Sequence, residues 1–146
     1  MKTYSLWTTF FLRISLGWLL LYSGSEKLTS SFSATGYLSH LNGSFAPLFT
    51  PLAGNPIVDL LVIWGELLIG ISLVLGVFVR FASFWGIVMM LLFYFSGYPY
   101  EHSFIVNNHV IYAFVFVYLM FSNAGNFWGF DKTLEKKFPK HKKLMG

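Results

Sequence analysis

NPIVDLLVIWGELLIGISLVLGVFV, residues 55 to 79, is an apolar run interrupted by two carboxylates, Asp59 and Glu66. Asn55-Pro56 is a helix-start signal, with proline in the first turn, where its missing N–H costs nothing. The run beyond it is long enough to cross a hydrocarbon core of ~30 Å, which needs ~20 apolar residues. A carboxylate in the middle of such a run sits where water is scarce. Its meaning depends on whether the run lies in a bilayer and on what pairs with it.

Composition answers the first question. Of 146 residues, 55% are hydrophobic, 21% aromatic and 11% charged, against ~25% charged in an ordinary soluble domain. A soluble chain this short leaves too much surface in water to hide that apolar content. The sequence therefore reads as an all-α integral membrane protein, a four-helix bundle with spans at about 4–24, 56–79, 81–98 and 105–122. Residues 1–130 make the four-span membrane domain, and 131–146 a polar, lysine-rich cytoplasmic tail. The length of the first span and Arg13 within it argue against a cleaved signal peptide.

Lysine and arginine set the orientation. Lys2, Arg80 and six lysines between Lys132 and Lys143 fall at one set of ends, while the other side carries Lys27 and neither residue type between Tyr98 and His109. Both termini are expected to be cytoplasmic, in a multi-pass protein of the plasma membrane. Most of the net charge of +4 lies in the tail, which points to the lipid bilayer as partner and away from nucleic acid. The absence of cysteine excludes disulfides, thiolate metal sites and cysteine redox chemistry. The outer loop from Ser25 to Asn55 is too long for a plain connection and carries Phe32, Tyr37, Leu38 and Phe49. It is expected to lie on the membrane surface or fold back over the bundle mouth, partly as short helix, as a cap or a lid.

An ionisable group near the bilayer centre costs at least ~2.5 kcal/mol and normally faces the bundle interior with a partner. Helical spacing puts Arg13, Gly17, Leu20, Gly24 and Lys27 on one stripe of span one. It puts Asp59, Glu66, Gly70, Leu73 and Arg80 on one stripe of span two. At 1.5 Å per residue, Arg13 lies roughly 14 Å from its cytoplasmic end and Glu66 roughly 21 Å from Arg80, a mismatch of roughly 7 Å that two long side chains can bridge. An Arg13–Glu66 pair, direct or through water, is expected. Lys27 and Asp59 come out near the outer interface, and the glycines would let the two backbones approach closely.

On the outer half, span three ends with Tyr94, Tyr98 and Pro99, the next loop carries Glu101 and His102, and span four opens with Asn107, Asn108 and His109, followed a turn later by Tyr112. Glu66, His109, Tyr94 and Tyr112 are expected to converge on a polar pocket opening outwards. No metal or heme is expected, because His40, His102 and His109 include no i, i+4 pair and His109 lies near a helix end. There is no nucleotide-binding glycine pattern, nucleophile elbow or catalytic triad. The residues suit proton transfer with a bound quinone and attraction of a small oxyanion.

The stretches LRISLGWLLLYSGSEKL, GYL, FAPLFTPLAGNP, WGELLIGISLVLGVFVRFAS and NNHVIYAFVFVYLMFSNAGNFWGFD, within about residues 11 to 131, resemble the DoxX/DoxD family of small four-span membrane proteins in order and spacing. The resemblance implies a redox setting. Some members form the membrane subunit of thiosulfate:quinone oxidoreductase, paired with a second small subunit, and others are accessory partners of redox enzymes. The reading is a membrane subunit of a quinone-linked oxidoreductase, of the thiosulfate dehydrogenase type, with quinone as bound substrate. Glu66, His109 and Arg13 are the expected catalytic residues, and Lys27, Asp59, Tyr94 and Tyr112 the expected substrate or quinone contacts. The alternative is a non-catalytic accessory subunit of a larger respiratory or oxidising membrane complex, in which Arg13 and Glu66 form a clamp.

Overall fold

The computed structural model describes residues 3–99 and 105–145, and regular structure among them is helical. Lys2, Glu101 and His102 lie outside the described residues. Helix α1 (Thr3–Thr29) leads into the long loop, which carries α2 (Thr35–Ser39), α3 (Ala46–Phe49) and a 3-10 turn over Thr50–Leu52. Then come α4 (Pro56–Leu75), α5 (Val79–Gly97), α6 (Asn108–Phe121), α7 (Asp131–Lys137) and a 3-10 run, Pro139–Leu144.

Helices α1, α4 and α5 are long and apolar enough to cross a membrane. Helix α6, at 14 residues, rises ~21 Å, short of a ~30 Å core. The span expected over 105–122 is thus a shorter apolar helix. Outward-facing Trp18, Leu61, Phe114 and Phe121 are 63 to 74% exposed, an apolar surface that asks for an apolar solvent. The molecule is a helical membrane protein.

The start signals act as the sequence suggests. Asn55 accepts a hydrogen bond from Ile57 N at 3.0 Å, and Asn107 accepts one from Val110 N at 3.2 Å. Gly76 closes α4 in the left-handed region at φ 66°, a conformation open to glycine at little cost.

The main packing pairs are α1 with α4 and α5 with α6. The α1–α4 seam is a glycine seam. A Cβ on Gly70 would lie 2.6 Å from Leu21 N, one on Gly17 2.8 Å from Leu73 Cβ, and one on Gly24 2.9 Å from Leu67 Cγ. These contacts fix the register: Gly17 lies level with Leu73 and Val74, and Gly24 level with Glu66 and Leu67.

Gly70→Ala therefore sets a methyl against rigid backbone. It is expected to lower stability by ~1–3 kcal/mol, the usual cost of overpacking, in thermal unfolding of detergent-solubilised protein. Gly36→Ala, where a Cβ meets nothing within 4 Å, is the control. Equal melting temperatures for the two variants would refute the close seam.

Candidate functional site

Glu66 is 4% exposed on the face of α4 turned to α1. Helix α1 continues to Thr29, past the expected end near Gly24, and this carries Lys27 inward on the helix. Lys27 Nζ donates to Glu66 Oε2 at 2.7 Å, to Oε1 at 3.0 Å and to Ser23 Oγ at 2.6 Å. An ammonium has three N–H donors, so those three contacts match its capacity. Its Nζ also lies 5.6 Å from the centre of the Phe32 ring. Lys27, expected as a substrate or quinone contact near the outer interface, is the counter-ion of Glu66.

The pair lines a cavity of about 840 Å³ walled by α1, α4, α5, α6 and the long loop. Its walls are mainly apolar: Trp85, Met89 and Phe93 come from α5, Ile69 from α4, and Leu38 and Phe49 from the loop. His109 and Tyr112 also line it, so three of the four residues expected to converge, Glu66, His109 and Tyr112, line one chamber, joined by Lys27, which was expected near the outer interface.

The histidine's state follows from its neighbour. Asn107 Oδ1 accepts from Val110 N, which orients the amide and leaves Nδ2 as the donor to His109 Nδ1, 3.1 Å away. In neutral His109 the proton then resides on Nε2. Phe93 braces the ring edge to face, with centroids 5.8 Å apart.

The loop folds back over the chamber, one of the two placements expected for it. Asp59 Oδ1 accepts from Ala34 N at 2.7 Å, and Tyr37 OH shares a 3.1 Å hydrogen bond with Ser96 Oγ. Gly54 N donates to Thr35 Oγ1, and Phe45 packs against Phe95 and Tyr98. Asp59 on α4 thus holds the residue that caps α2, and Ser96 on α5 holds Tyr37 within it. Asp59 and Tyr94, expected as binding residues, are outside the chamber lining. Asp59 anchors the lid, and Tyr94 OH donates to Ile105 O at 2.9 Å, joining α5 to the segment before α6.

Arg13 requires a correction: it does not meet Glu66. Lying a turn before Gly17, it is level with the Gly76 turn rather than with Glu66, about 21 Å along α1 from Lys27. The expectation measured both residues from helix ends as if those ends shared a plane, but α1 overhangs α4. The stripe holds; the rung is displaced. Arg13 is fully buried, with Nη1 donating to Ala124 O at 2.8 Å and Nη2 to Trp128 O at 2.7 Å. Added Cβ atoms on Gly76 and Gly129 would lie 2.5 and 2.6 Å from its Nη1, so two glycines form its slot.

Asp131, which the sequence reading placed in the solvated tail, is also fully buried. It accepts from Phe78 N at 2.6 Å and Val79 N at 3.0 Å, capping the start of α5, and its charge acts on Arg13. Phe78, Asn123 and Trp128 all have φ near +50°, a region costly for non-glycine residues. Each is held by a charged side chain: Phe78 by Asp131, Trp128 by Arg13, and Asn123 by Arg80. This is a structural knot at the end of the bundle away from Glu66.

The fold and site together define a helical membrane protein with a lidded, mainly apolar chamber and an ion pair on its wall. The chain belongs to the DoxX family, whose model, described as DoxX, matches residues 8–99. The match takes in Lys27, Asp59, Glu66 and the lid and stops before α6, which carries His109 and Tyr112. No curated protein and no solved structure matches the chain.

Proposed function

We propose that the chamber binds a quinone ring, and that the protein is the membrane subunit of a quinone-linked oxidoreductase. The observation that carries this reading is the chamber itself. It holds about 840 Å³ between apolar walls, with Lys27–Glu66 and His109 among its lining. That volume is in the ~300–1,000 Å³ range of sites that enclose a small organic ligand.

Trp85, Met89 and Phe93 would hold a flat ring, and His109 Nε2–H would donate to a ring oxygen. Glu66 is the buried carboxylate of the wall and suits proton exchange, with Lys27 as its hydrogen-bonded partner. A bound quinone supplies the two-electron acceptor, taking up two protons to become the quinol. Oxidation of two thiosulfate ions to one tetrathionate releases the matching two electrons. With Lys27 bonded to Ser23 and Glu66, we assign the oxidation of the donor to a partner subunit.

The topology that goes with this reading has α6 and its flanks as a fourth crossing and both termini cytoplasmic. It rests on Arg80 and the tail lysines lying at one set of helix ends, and the plasma membrane is the proposed site.

The test is equilibrium binding of a short-chain quinone to the purified protein. Wild type is expected to bind saturably. His109→Ala is expected to bind about three- to tenfold more weakly, the worth of one hydrogen bond, at unchanged protein yield. Absence of saturable binding by wild type, or identical affinity of the variant, would reject the site. A protein that binds no quinone and purifies only inside a larger complex would fit the accessory role instead.

A further inference from the structure

A second cavity, of about 380 Å³, lies where the start of α5, the loop after α6, α7 and the 3-10 run meet. Arg80, Lys140 and Lys143 line it, with Asn123, Pro139 and the carboxylate of Glu135. Three cations thus face one acid among the described residues.

The arrangement is more than a loose basic tail. Met145, next to the 3-10 run, is 1% exposed, and that run packs against α5. Phe138 N donates to Leu134 O at 2.7 Å, closing α7, and His141 N to Phe138 O at 3.0 Å, which leads directly into the 3-10 run. Arg80 is held as well: Nε donates to Met120 O at 3.2 Å and Nη2 to Asn123 Oδ1 at 3.0 Å. A guanidinium has five N–H donors, so these two bonds orient its fork and leave further donors. Glu135 sets one carboxylate among the three cations, so the lining keeps a net positive charge that attracts a further anion. A fixed arginine fork with flanking ammonium groups suits phosphate.

We propose that this cleft is a binding site for a phosphate group, presented by an anionic lipid or free in solution. Its position favours the lipid. Arg80 is the second residue of a helix long enough to cross a membrane, which sets the cleft at headgroup depth. Each cation near an anionic surface contributes about fivefold in affinity.

The experiment is native mass spectrometry of the full chain in neutral detergent, titrated with phosphatidylglycerol, where no charged bilayer can mimic a site. Lys140→Gln/Lys143→Gln is expected to weaken lipid retention by about tenfold or more, through the loss of two charge-assisted contacts to the phosphate. Arg80 is left intact because it also ties Met120 and Asn123. Lys132→Gln/Lys136→Gln removes the same charge from α7 outside the cleft lining and is expected to stay within about threefold of wild type. Displacement of the lipid by inorganic phosphate would identify the phosphate alone as the recognised group. Retention against millimolar phosphate would show that the lipid is the source. Equal losses in the two double variants, or no lipid retained by wild type, would overturn the site and leave only a diffuse basic tail.

Discussion

Replacing Arg13 with alanine is expected to cost ~3–5 kcal/mol, the usual result of removing one partner from a buried charge arrangement. Native proteins have only ~5–15 kcal/mol to lose. The substitution leaves the carbonyls of Ala124 and Trp128 without their donors and Asp131 without its opposing charge. It also opens the slot between Gly76 and Gly129. The prediction is a sharp fall in detergent-extracted yield and melting temperature. Arg13→Lys should rescue little, because one ammonium cannot reproduce a planar fork reaching two carbonyls.

Asp131→Asn should be milder, since an amide oxygen can still accept from one of the Phe78 and Val79 amides. If the chamber binds quinone as proposed, what survives of Arg13→Ala keeps that affinity, because the guanidinium lies about 21 Å along α1 from Lys27. Melting within about 0.5 kcal/mol of wild type, or selective loss of quinone binding at full stability, would show that Arg13 is not a structural keystone.

The contrast between Arg13 and Glu66 shows what the sequence could specify. Helical period placed the charges on facing stripes, and glycine spacing marked the seam, so the partnered faces of α1 and α4 were legible. Register was not. It is set by Gly17 against Leu73 and Gly24 against Leu67, a fit between two surfaces that neither segment encodes alone. Once α1 runs to Thr29, Lys27 comes inside the helix and takes the place assigned to Arg13.

Asp131 was missed because its composition context is a lysine-rich polar segment and its partners lie more than fifty positions away. A signal did exist. Helix α5 begins after Val77 and Phe78, neither of which can cap a helix N-terminus with an oxygen, so its first amides needed an acceptor from elsewhere. The lid was legible as a loop too long and too aromatic to be a connector. Its attachment through Asp59 and Ser96 was not, because Asp59 read as a substrate or quinone contact near the interface and nothing in the sequence marks Ser96 as a partner of the loop.

If the chamber serves quinone reduction as proposed, Glu66→Gln lowers quinol formation by on the order of 10²–10⁴-fold, the range that a positioned proton-transferring group contributes. Loss of turnover alone would not separate a functional acid from a helix clamp, since the change also removes Lys27's counter-ion. The Lys27→Met/Glu66→Met double variant separates them. An apolar pair of similar volume commonly matches or exceeds a buried ion pair in stability, whereas deleting one partner leaves a charge uncompensated. Glu66→Gln alone should therefore lose ~1–3 kcal/mol, moderated because the Lys27 side chain retains 23% exposure. The double variant should recover most of that in the same detergent melt. If Glu66 serves proton transfer, the stable double variant stays as inactive as the single one and its quinone affinity changes far less than its turnover. If the pair only clamps α1 to α4, restoring stability restores turnover, and the accessory reading of the protein takes over.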